Sequence, residues 1–260
     1  MSIKSWEKFA KQVRGRGCSL LKNLDSFPQS ILVTGCQRSG TTILARIITQ
    51  SEGMVNYWFG KDDELDAALI LAGEVPHEPR GRYCFQTTYL NNCYNEYLEH
   101  KDKGHKIIFV IRNPYSVVYS MVYNWKRFAL NELFFQCGMD VIDDSTRKRI
   151  NLFGSLFVSQ VSKACHAYVG KTSQAIELRK AFSDQEIMFV EYDALVNNKN
   201  ILLPKVYEFL DIPYKVGYAD RLSAKSLNKA DRLSLSIRNK IDAICLPTYE
   251  RVSKLVAGPM

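Results

Sequence analysis

Short runs of apolar residues recur along the chain and have the pattern of buried strands. Each run is rich in Ile, Val or Phe and is bounded by turn or polar residues; the four runs are 30–35, 82–87, 106–111 and 187–191. Short, continuous apolar runs with such borders are typical of strands buried on both faces of a sheet. The pattern therefore predicts four strands of one central sheet.

Segments with helical periodicity separate these runs. Apolar residues recur three and four positions apart in 41–50, 115–123 and 202–210. Strands that alternate with helices favour a parallel sheet with helices on both faces. No repeat or Pro/Gly/Ser-rich linker interrupts the alternation, so we predict a single α/β domain over residues 1–260. The mixed polar and apolar segment 124–180 is predicted to form a helical lid or cap within it.

Charge and composition narrow the class of protein. The chain has 260 residues, of which 46% are hydrophobic, and a net charge of +8. The charge lies at the ends: residues 1–23 and 221–260 each sum to +5, and residues 24–220 sum to −2. The near-neutral body argues against reading the basic total as a nucleic-acid surface. Residues 1–27 are predicted to form a basic helical extension.

Two further features favour a soluble, cytoplasmic protein. No run of about 18 apolar residues is present, so no transmembrane helix is expected, and the first residues lack the apolar core of a signal peptide. The cysteines are dispersed and contain no CxxC pair, as expected for reduced thiols rather than disulfides or a zinc site. They are Cys18, Cys36, Cys84, Cys93, Cys137, Cys165 and Cys245.

A glycine-rich loop follows the first predicted strand and precedes a helix. It reads Gly35-Cys36-Gln37-Arg38-Ser39-Gly40-Thr41-Thr42. Two glycines five positions apart let the backbone N–H groups converge, and the helix N-terminus adds partial positive charge, so the loop is predicted to bind a phosphate-like anion. The lysine that follows the second glycine in ATP-binding P-loops is absent, and Arg38 supplies a cation instead.

A second candidate anion site follows the third predicted strand. Arg112 comes at the carboxyl end of that strand, the edge where open α/β sheets bind ligands. Pro114 suits the first turn of a helix, and Ser120 lies about two turns further on, on the side that faces back toward the sheet. An Arg and a Ser that converge there could hold another phosphate.

The two segments together resemble the sulfotransferases that use 3′-phosphoadenosine 5′-phosphosulfate (PAPS). That family has a loop similar to 37–42 for the 5′-phosphosulfate and an Arg-Asn-Pro…Ser segment similar to 112–120 for the 3′-phosphate. The stretch around Tyr192 resembles a third family element, in which a tyrosine lies by the adenine. The resemblance implies a P-loop-NTPase-like sulfotransferase fold, PAPS as co-substrate with PAP as product, and no metal.

The resemblance also implies roles for individual residues. Arg38 would stabilise the leaving oxygen, and Arg112 with Ser120 would hold the 3′-phosphate. The remaining cofactor residues would be Gln37, Ser39, Gly40, Thr41, Thr42 and Tyr192, with the C-terminal cations Lys225, Lys229 and Arg232 as candidates on the 3′-phosphate side. A solvated basic surface is the alternative for those three cations.

The general base is less clearly marked. Many relatives carry a Lys-Thr-His segment after the second strand, but the matching stretch here is Gln86-Thr87-Thr88. Other branches use a Glu shortly after the loop helix, which makes Glu64 the leading candidate, with Asp63 and Asp62 beside it. His77 is a further option because imidazole titrates near neutrality. The alternative for 61–66 is a helix start, where acids are favoured. His100, His105 and His166 have no motif around them and are expected to be surface or structural.

The acceptor has one sequence signal. Residues 52–78 carry seven acids and one lysine, together with the aromatic stretch 57–59. Acids and aromatics suit a cationic acceptor, such as a saxitoxin-type specialised metabolite sulfated on a hydroxyl or on an amine or carbamoyl nitrogen. The alternatives are an acidic helix beside a core aromatic cluster, and an enzyme that sulfates carbohydrate hydroxyls.

Two rival functions remain at this stage. A P-loop kinase that uses ATP fits the loop, but the missing lysine and the Arg112…Ser120 pair argue against it. A non-catalytic protein that binds nucleic acid or a membrane surface through its basic ends lacks any recognised motif. We therefore predict a PAPS-dependent sulfotransferase that acts on a small molecule and binds no nucleic acid.

Overall fold

The computed structural model describes residues 3–17 and 19–256 and is built on a four-stranded parallel sheet. The strands are β1 (Ile31–Gly35), β2 (Cys84–Gln86), β3 (Lys106–Ile111) and β4 (Ile187–Glu191). They lie in the order β2-β1-β3-β4, and Val33 of β1 pairs with Gln86 of β2 and with Ile108 of β3. The four predicted strands and their parallel arrangement are confirmed.

In the described residues, ten α-helices surround the sheet. They are α1 (Trp6–Gln12), α2 (Thr41–Thr49), α3 (Asp63–Leu71), α4 (Pro114–Tyr123), α5 (Arg127–Leu133), α6 (Asp144–Phe153), α7 (Gln160–Ala181), α8 (Tyr192–Asn197), α9 (Lys199–Leu210) and α10 (Leu235–Val256). The three periodic segments correspond to α2, α4 and α9. The fold is therefore the single α/β domain that the pattern predicts.

Alternate residues of the strands feed two separate cores. Leu32, Ile107 and Phe109 face one layer, which includes α3, and their neighbours Val33 and Ile108 face another, which includes α2 and α9. Each of these side chains is buried. Burying one aliphatic side chain of this size contributes about 1.5–3 kcal/mol. Burial on both faces explains why the strands read as continuous apolar runs.

The segment 124–180 is largely helical, as predicted. It contains α5, a π-helical turn (Phe134–Gly138), α6 and the 22-residue α7. A Cβ at Gly170 of α7 would lie 2.0 Å from the Cys137 carbonyl oxygen, so α7 and the π turn pack backbone to backbone. Much of α7 thus belongs to the core, and the role of this segment as a lid stays a prediction.

The predicted N-terminal extension packs against the domain. Phe9 and Val13 are fully buried, and the Arg14 guanidinium donates to Glu132 and, at 2.6 Å, to the Tyr89 carbonyl. Within the described ranges, no helix has the length and apolarity to cross a membrane. The six cysteines that the structure describes are free thiols, and Cys18 lies outside the described residues.

Candidate active site

The loop between β1 and α2 has a backbone that its sequence explains. Gly35 and Gly40 have φ of 140° and 97°, and Arg38 also has a positive φ, 71°. A Cβ at Gly40 would lie 2.3 Å from the ring of Tyr192, and one at Gly35 would lie 2.3 Å from the Val110 carbonyl oxygen. Both glycines are therefore required by the left-handed backbone and by close neighbours.

The sheet brings the two candidate anion sites together. β1 and β3 are neighbours, so the loop after β1 lies beside the start of α4, where Asn113 accepts a capping hydrogen bond from the Ser116 N–H. As a result, Arg38 Nε donates to Ser120 Oγ at 2.9 Å, and Arg112 Nη1 lies 3.5 Å from the Arg38 carbonyl oxygen. The two motifs thus lie together at one edge of the sheet, with Ser120 hydrogen-bonded to Arg38 and Arg112 beside the loop backbone.

Arg112 is held firmly in place. Its Nε donates to Asp193 Oδ1 at 3.0 Å, and its guanidinium carbon lies 4.6 Å from the centroid of the Tyr192 ring. Tyr192 is itself buried between this guanidinium and Gly40. The tyrosine therefore supports both the loop and the second site.

Four cations converge at this edge of the sheet. Burial and the nearby charge of Arg112 lower the pKa of Arg38. Burial, followed by the charges of Arg112, Arg38 and Arg232, lowers the pKa of Lys229. Assembling like charges costs free energy that a bound anion offsets. Lys225 is exposed on the preceding 3-10 turn (Ala224–Ser226).

The other loop residues differ in whether the protein itself satisfies their side chains. Gln37 Nε2 donates to the Thr88 carbonyl at 3.0 Å and to Asn91 Oδ1 at 2.8 Å, which ties the loop to the segment after β2. Ser39 is fully buried, and its Oγ has no hydrogen-bond partner within the described part of the chain. Thr42 lines the adjoining cleft.

A cleft of about 580 Å³ opens beside the loop. Its walls come from the loop, the start of α3, the segment after β2, α1 and the α4–α5 connection. The side chains that line it include Trp6, Arg38, Glu64, Thr88, Trp125 and Phe128. Polar groups of the loop and an aromatic wall thus face the same space.

Glu64 lies where the cleft meets the loop. Thr88 Oγ1 donates to its Oε1, and Gln86 Nε2 donates to its Oε2 at 3.1 Å. The same Gln86 nitrogen lies 3.3 Å from Thr41 Oγ1, so one side chain joins Glu64 to the loop. Burial raises the pKa of Glu64 to about 8, against the opposing hydrogen bond from Thr88. Carboxyl groups tuned toward neutrality are typical of acid–base catalysts.

The structure places the other three candidate bases in structural roles. Asp62 accepts from the Leu65 N–H at 3.1 Å, as the cap of α3, and from Trp6 Nε1 at 2.8 Å. Asp63 is buried in a two-bond pair with Arg46 at 2.7 and 3.0 Å. His77 is not part of the cleft: its Nε2 lies 3.3 Å from the Tyr83 hydroxyl, and its ring packs on Phe27.

Most of the acidic stretch is likewise used by the fold. Asp66 accepts from the Phe59 and Gly60 N–H groups at 3.0 and 2.8 Å. Glu52 pairs with Lys215 at 2.7 Å on the surface. The carboxylates that we expected to bind a cationic acceptor are thus largely engaged in hydrogen bonds and ion pairs within the protein. The cleft is therefore not a uniformly acidic surface.

Sequence reasoning missed one residue of the cleft wall, Trp6, and one buried lysine whose charge acts on Glu64. Trp6 forms part of its wall although it lies 56 residues from Asp62. Lys171 of α7 is fully buried, and its Nζ has no hydrogen-bond partner among the described residues. Burial lowers the pKa of Lys171, and its charge is one of those that favour ionisation of Glu64. In the sequence, burial of Lys171 is indicated only by its position among the small residues of 164–175.

Comparisons with known proteins agree with this geometry. The chain resembles the sulfotransferase domain from the curacin biosynthetic pathway, with 16% identity over 89% of this chain and 98% of that one and a TM-score of 0.51. It also resembles mouse sulfotransferase SULT7A1, solved in complex with PAP, with 16% identity over 91% and 94% of the two chains and a TM-score of 0.54. No curated protein sequence matches it significantly.

The likeness to these two structures shows the fold of the chain. Membership of a family is shown by a sequence match. A model of the sulfotransferase domain matches residues 96–234, which is more than half of the chain. The matched residues include Arg112, Ser120 and Tyr192, the side chains that meet the glycine-rich loop at the carboxyl edge of the sheet. The chain therefore belongs to the sulfotransferase domain family.

Proposed function

We propose that this enzyme transfers the sulfuryl group of PAPS to a nucleophile on a small molecule. The observation that carries the proposal is the convergence of Arg38, Arg112 and Lys229 with Ser120 beside the glycine-rich loop. PAPS is a polyanion with phosphates at both ends of its ribose, and this arrangement offers cations and hydroxyl groups to both. The PAP bound to mouse SULT7A1 supports this choice of nucleotide.

The loop would hold the 5′-phosphosulfate, and Arg112 with Ser120 would hold the 3′-phosphate. Thr41, Thr42 and the N–H groups at the start of α2 would bind the 5′-phosphate at the helix N-terminus. Lys229 and Arg232 would lie on the 3′-phosphate side. Tyr192 would act by fixing Arg112 and Gly40, next to the adenine.

Transfer requires a base and stabilisation of a leaving group. The acceptor attacks sulfur in line, and negative charge grows on the oxygen that bridges to the 5′-phosphate. Arg38 would stabilise that charge, and a preorganised donor of this kind contributes about 3–4 kcal/mol. Glu64, in its ionised form, would accept the proton of the acceptor. Lys171 would favour this ionised form from within the core.

The cleft favours a neutral or mixed-polarity acceptor. Trp6, Trp125 and Phe128 offer aromatic surface, whereas Asp63 and Glu132 are paired with arginines. Asp63 and Glu132 therefore do not provide the unpaired acidic groups that would favour a cationic alkaloid of the saxitoxin type. We infer an acceptor that carries its hydroxyl or amine on an aromatic or apolar body.

The function is tested by nucleotide choice and by transfer. The chain should be stabilised in a thermal-shift titration by PAP and not by Mg-ATP, which separates this proposal from a kinase. Arg38→Ala should abolish transfer from radiolabelled PAPS and leave the fold intact, whereas Lys148→Ala on the exposed face of α6 should leave transfer unchanged. Near-normal transfer by Arg38→Ala would refute the assignment.

A panel of neutral, cationic and anionic acceptors tests the inferred class of acceptor. Exclusive turnover of cationic acceptors would contradict our inference.

A further inference from the structure

Three potential metal ligands meet at the edge of the sheet opposite the active site. Asp25 lies on a 3-10 turn (Leu24–Ser26), and His105 immediately precedes β3. His100 ends the 3-10 segment Thr88–His100. β3 spans about 20 Å at roughly 3.3 Å per residue, so Arg112, at its other end, is well separated from this cluster. The cluster is therefore independent of the proposed chemistry.

The donor atoms are close enough to share one ion. His100 Nδ1 lies 2.6 Å from Asp25 Oδ1, and His105 Nε2 lies 3.7 Å from the same oxygen. One donor atom from each residue fits within a 4.8 Å limit. Ligands of a tetrahedral zinc ion are roughly 3–4 Å apart, given bonds of about 2.0–2.2 Å. Side-chain shifts of roughly 1 Å or less would therefore place all three donor atoms at bonding distance from one zinc ion.

Among the described residues, three of the four ring nitrogens of the two histidines have no hydrogen-bond partner. His100 and His105 are only 7% and 8% exposed. His100 Nε2 and both ring nitrogens of His105 have no hydrogen-bond partner in the part of the chain that the structure describes. Buried polar atoms are nearly always satisfied, and a cluster of exceptions calls for an ion or water. The spacing from His100 to His105 also matches the H-x₃₋₅-H of many zinc ligands.

We propose that Asp25, His100 and His105 bind one divalent transition metal ion, of which zinc is the best match. Imidazole and carboxylate ligands suit this class of ion. Asp25 is 48% exposed, so a water molecule can complete a fourth position from the solvent side. The bound ion would join the turn before β1 to the connection that enters β3 and thereby stabilise the base of the sheet.

Lys103 provides an internal test of the site. Its Nζ donates to Asp25 Oδ2 at 2.6 Å, and the side chain is 44% exposed. The positive charge of the ammonium group opposes binding of a cation to the same carboxylate. Lys103→Gln should therefore tighten metal binding, whereas Asp25→Asn should weaken it at least tenfold.

The experiment uses the whole chain, stripped of metal with a chelator and titrated with ZnCl₂ by calorimetry. We expect one ion per chain and a rise in Tm of about 5–10 °C at a roughly hundredfold excess over Kd. Asp25 is half exposed, so Asp25→Asn should keep the Tm of the metal-free protein; His105→Gln is the second weakening variant, and His166→Gln is the control.

Cobalt(II) identifies the ligands. Nitrogen and oxygen ligation gives d–d absorption without the charge-transfer band of a cysteine thiolate. Absence of zinc binding, unchanged affinity in both Asp25→Asn and His105→Gln, or a thiolate band that accounts for the bound cobalt would each overturn the proposal. None of these outcomes depends on sulfuryl transfer.

Discussion

Replacing Glu64 by Gln should lower activity and raise stability at the same time. The isosteric amide retains an oxygen to accept from Thr88, but it cannot take a proton from the acceptor. Loss of a general base lowers turnover by about 10²–10⁴-fold. The wild-type rate should rise with pH, because only the ionised carboxylate is active and its pKa is about 8. At pH 7 about a tenth of the enzyme is in that form.

The effect on stability follows from the same pKa. The unfolded chain releases the Glu64 proton near 4.5, and the folded chain retains it to about 8. Between these values the folded state binds more protons, so stability falls as pH rises. The full difference corresponds to about 5 kcal/mol, an upper limit because the carboxyl group faces the cleft and water relieves part of the cost. Glu64→Gln should therefore raise Tm at pH 8 and leave it unchanged below pH 4.5.

Initial rates of transfer from PAPS between pH 6 and 9, together with Tm at pH 4.5 and 8, measure both effects. Glu74→Gln, an exposed acid beyond the end of α3, is the matched control and should behave as wild type. A Glu64→Gln enzyme that retains more than a tenth of the wild-type rate at pH 8, or a wild-type rate that does not rise with pH, would refute the assigned role.

Three other perturbations address separate parts of the site. Arg112→Ala should weaken PAP binding about tenfold or more in calorimetry, because a charged hydrogen bond contributes about 1.5–3 kcal/mol; unchanged affinity would contradict its role. Gly40→Ala should lower the free energy of unfolding by about 1–3 kcal/mol through its clash with Tyr192, measured by urea denaturation; a stability equal to wild type would show that the ring moves freely. Trp6→Ala should raise the KM for the acceptor about five- to tenfold, about 1 kcal/mol, without changing PAP affinity; an equal loss of both would argue against a place in the acceptor wall.

Local patterns predicted the sheet and the backbone of the glycine-rich loop well. The strands are buried on both faces, so their sequences are continuous apolar runs, and the loop motif specifies its own backbone through Gly35 and Gly40. The sequence predicted that Arg112 and Ser120 converge, whereas the hydrogen bond between Arg38 and Ser120 was not predicted. The strands and the loop backbone depend mainly on residues that are neighbours in sequence.

The acceptor side depends on contacts between distant segments, which one sequence does not reveal. Asp63 is paired with Arg46, and Asp62 accepts a hydrogen bond from Trp6, so neither carboxylate serves as the general base. His77 lies on an irregular connection, and only the fold shows that it packs on Phe27. Lys171 lies on a helix with weak amphipathic patterning, so its burial could not be read from periodicity.

The position of α1 has a consequence for altering the enzyme. This helix contributes a wall of the cleft but no strand of the sheet, and it lies outside the region 96–234 that carries the family's sequence signature. In the proposed function, α1 would help to bind the acceptor, whereas the glycine-rich loop, Arg112 and Lys229 would bind the nucleotide, so different stretches of chain would carry the two tasks. Exchanging residues 4–14 with the equivalent segment of another family member is therefore a route to chimeric enzymes with redirected selectivity and an unaltered nucleotide site.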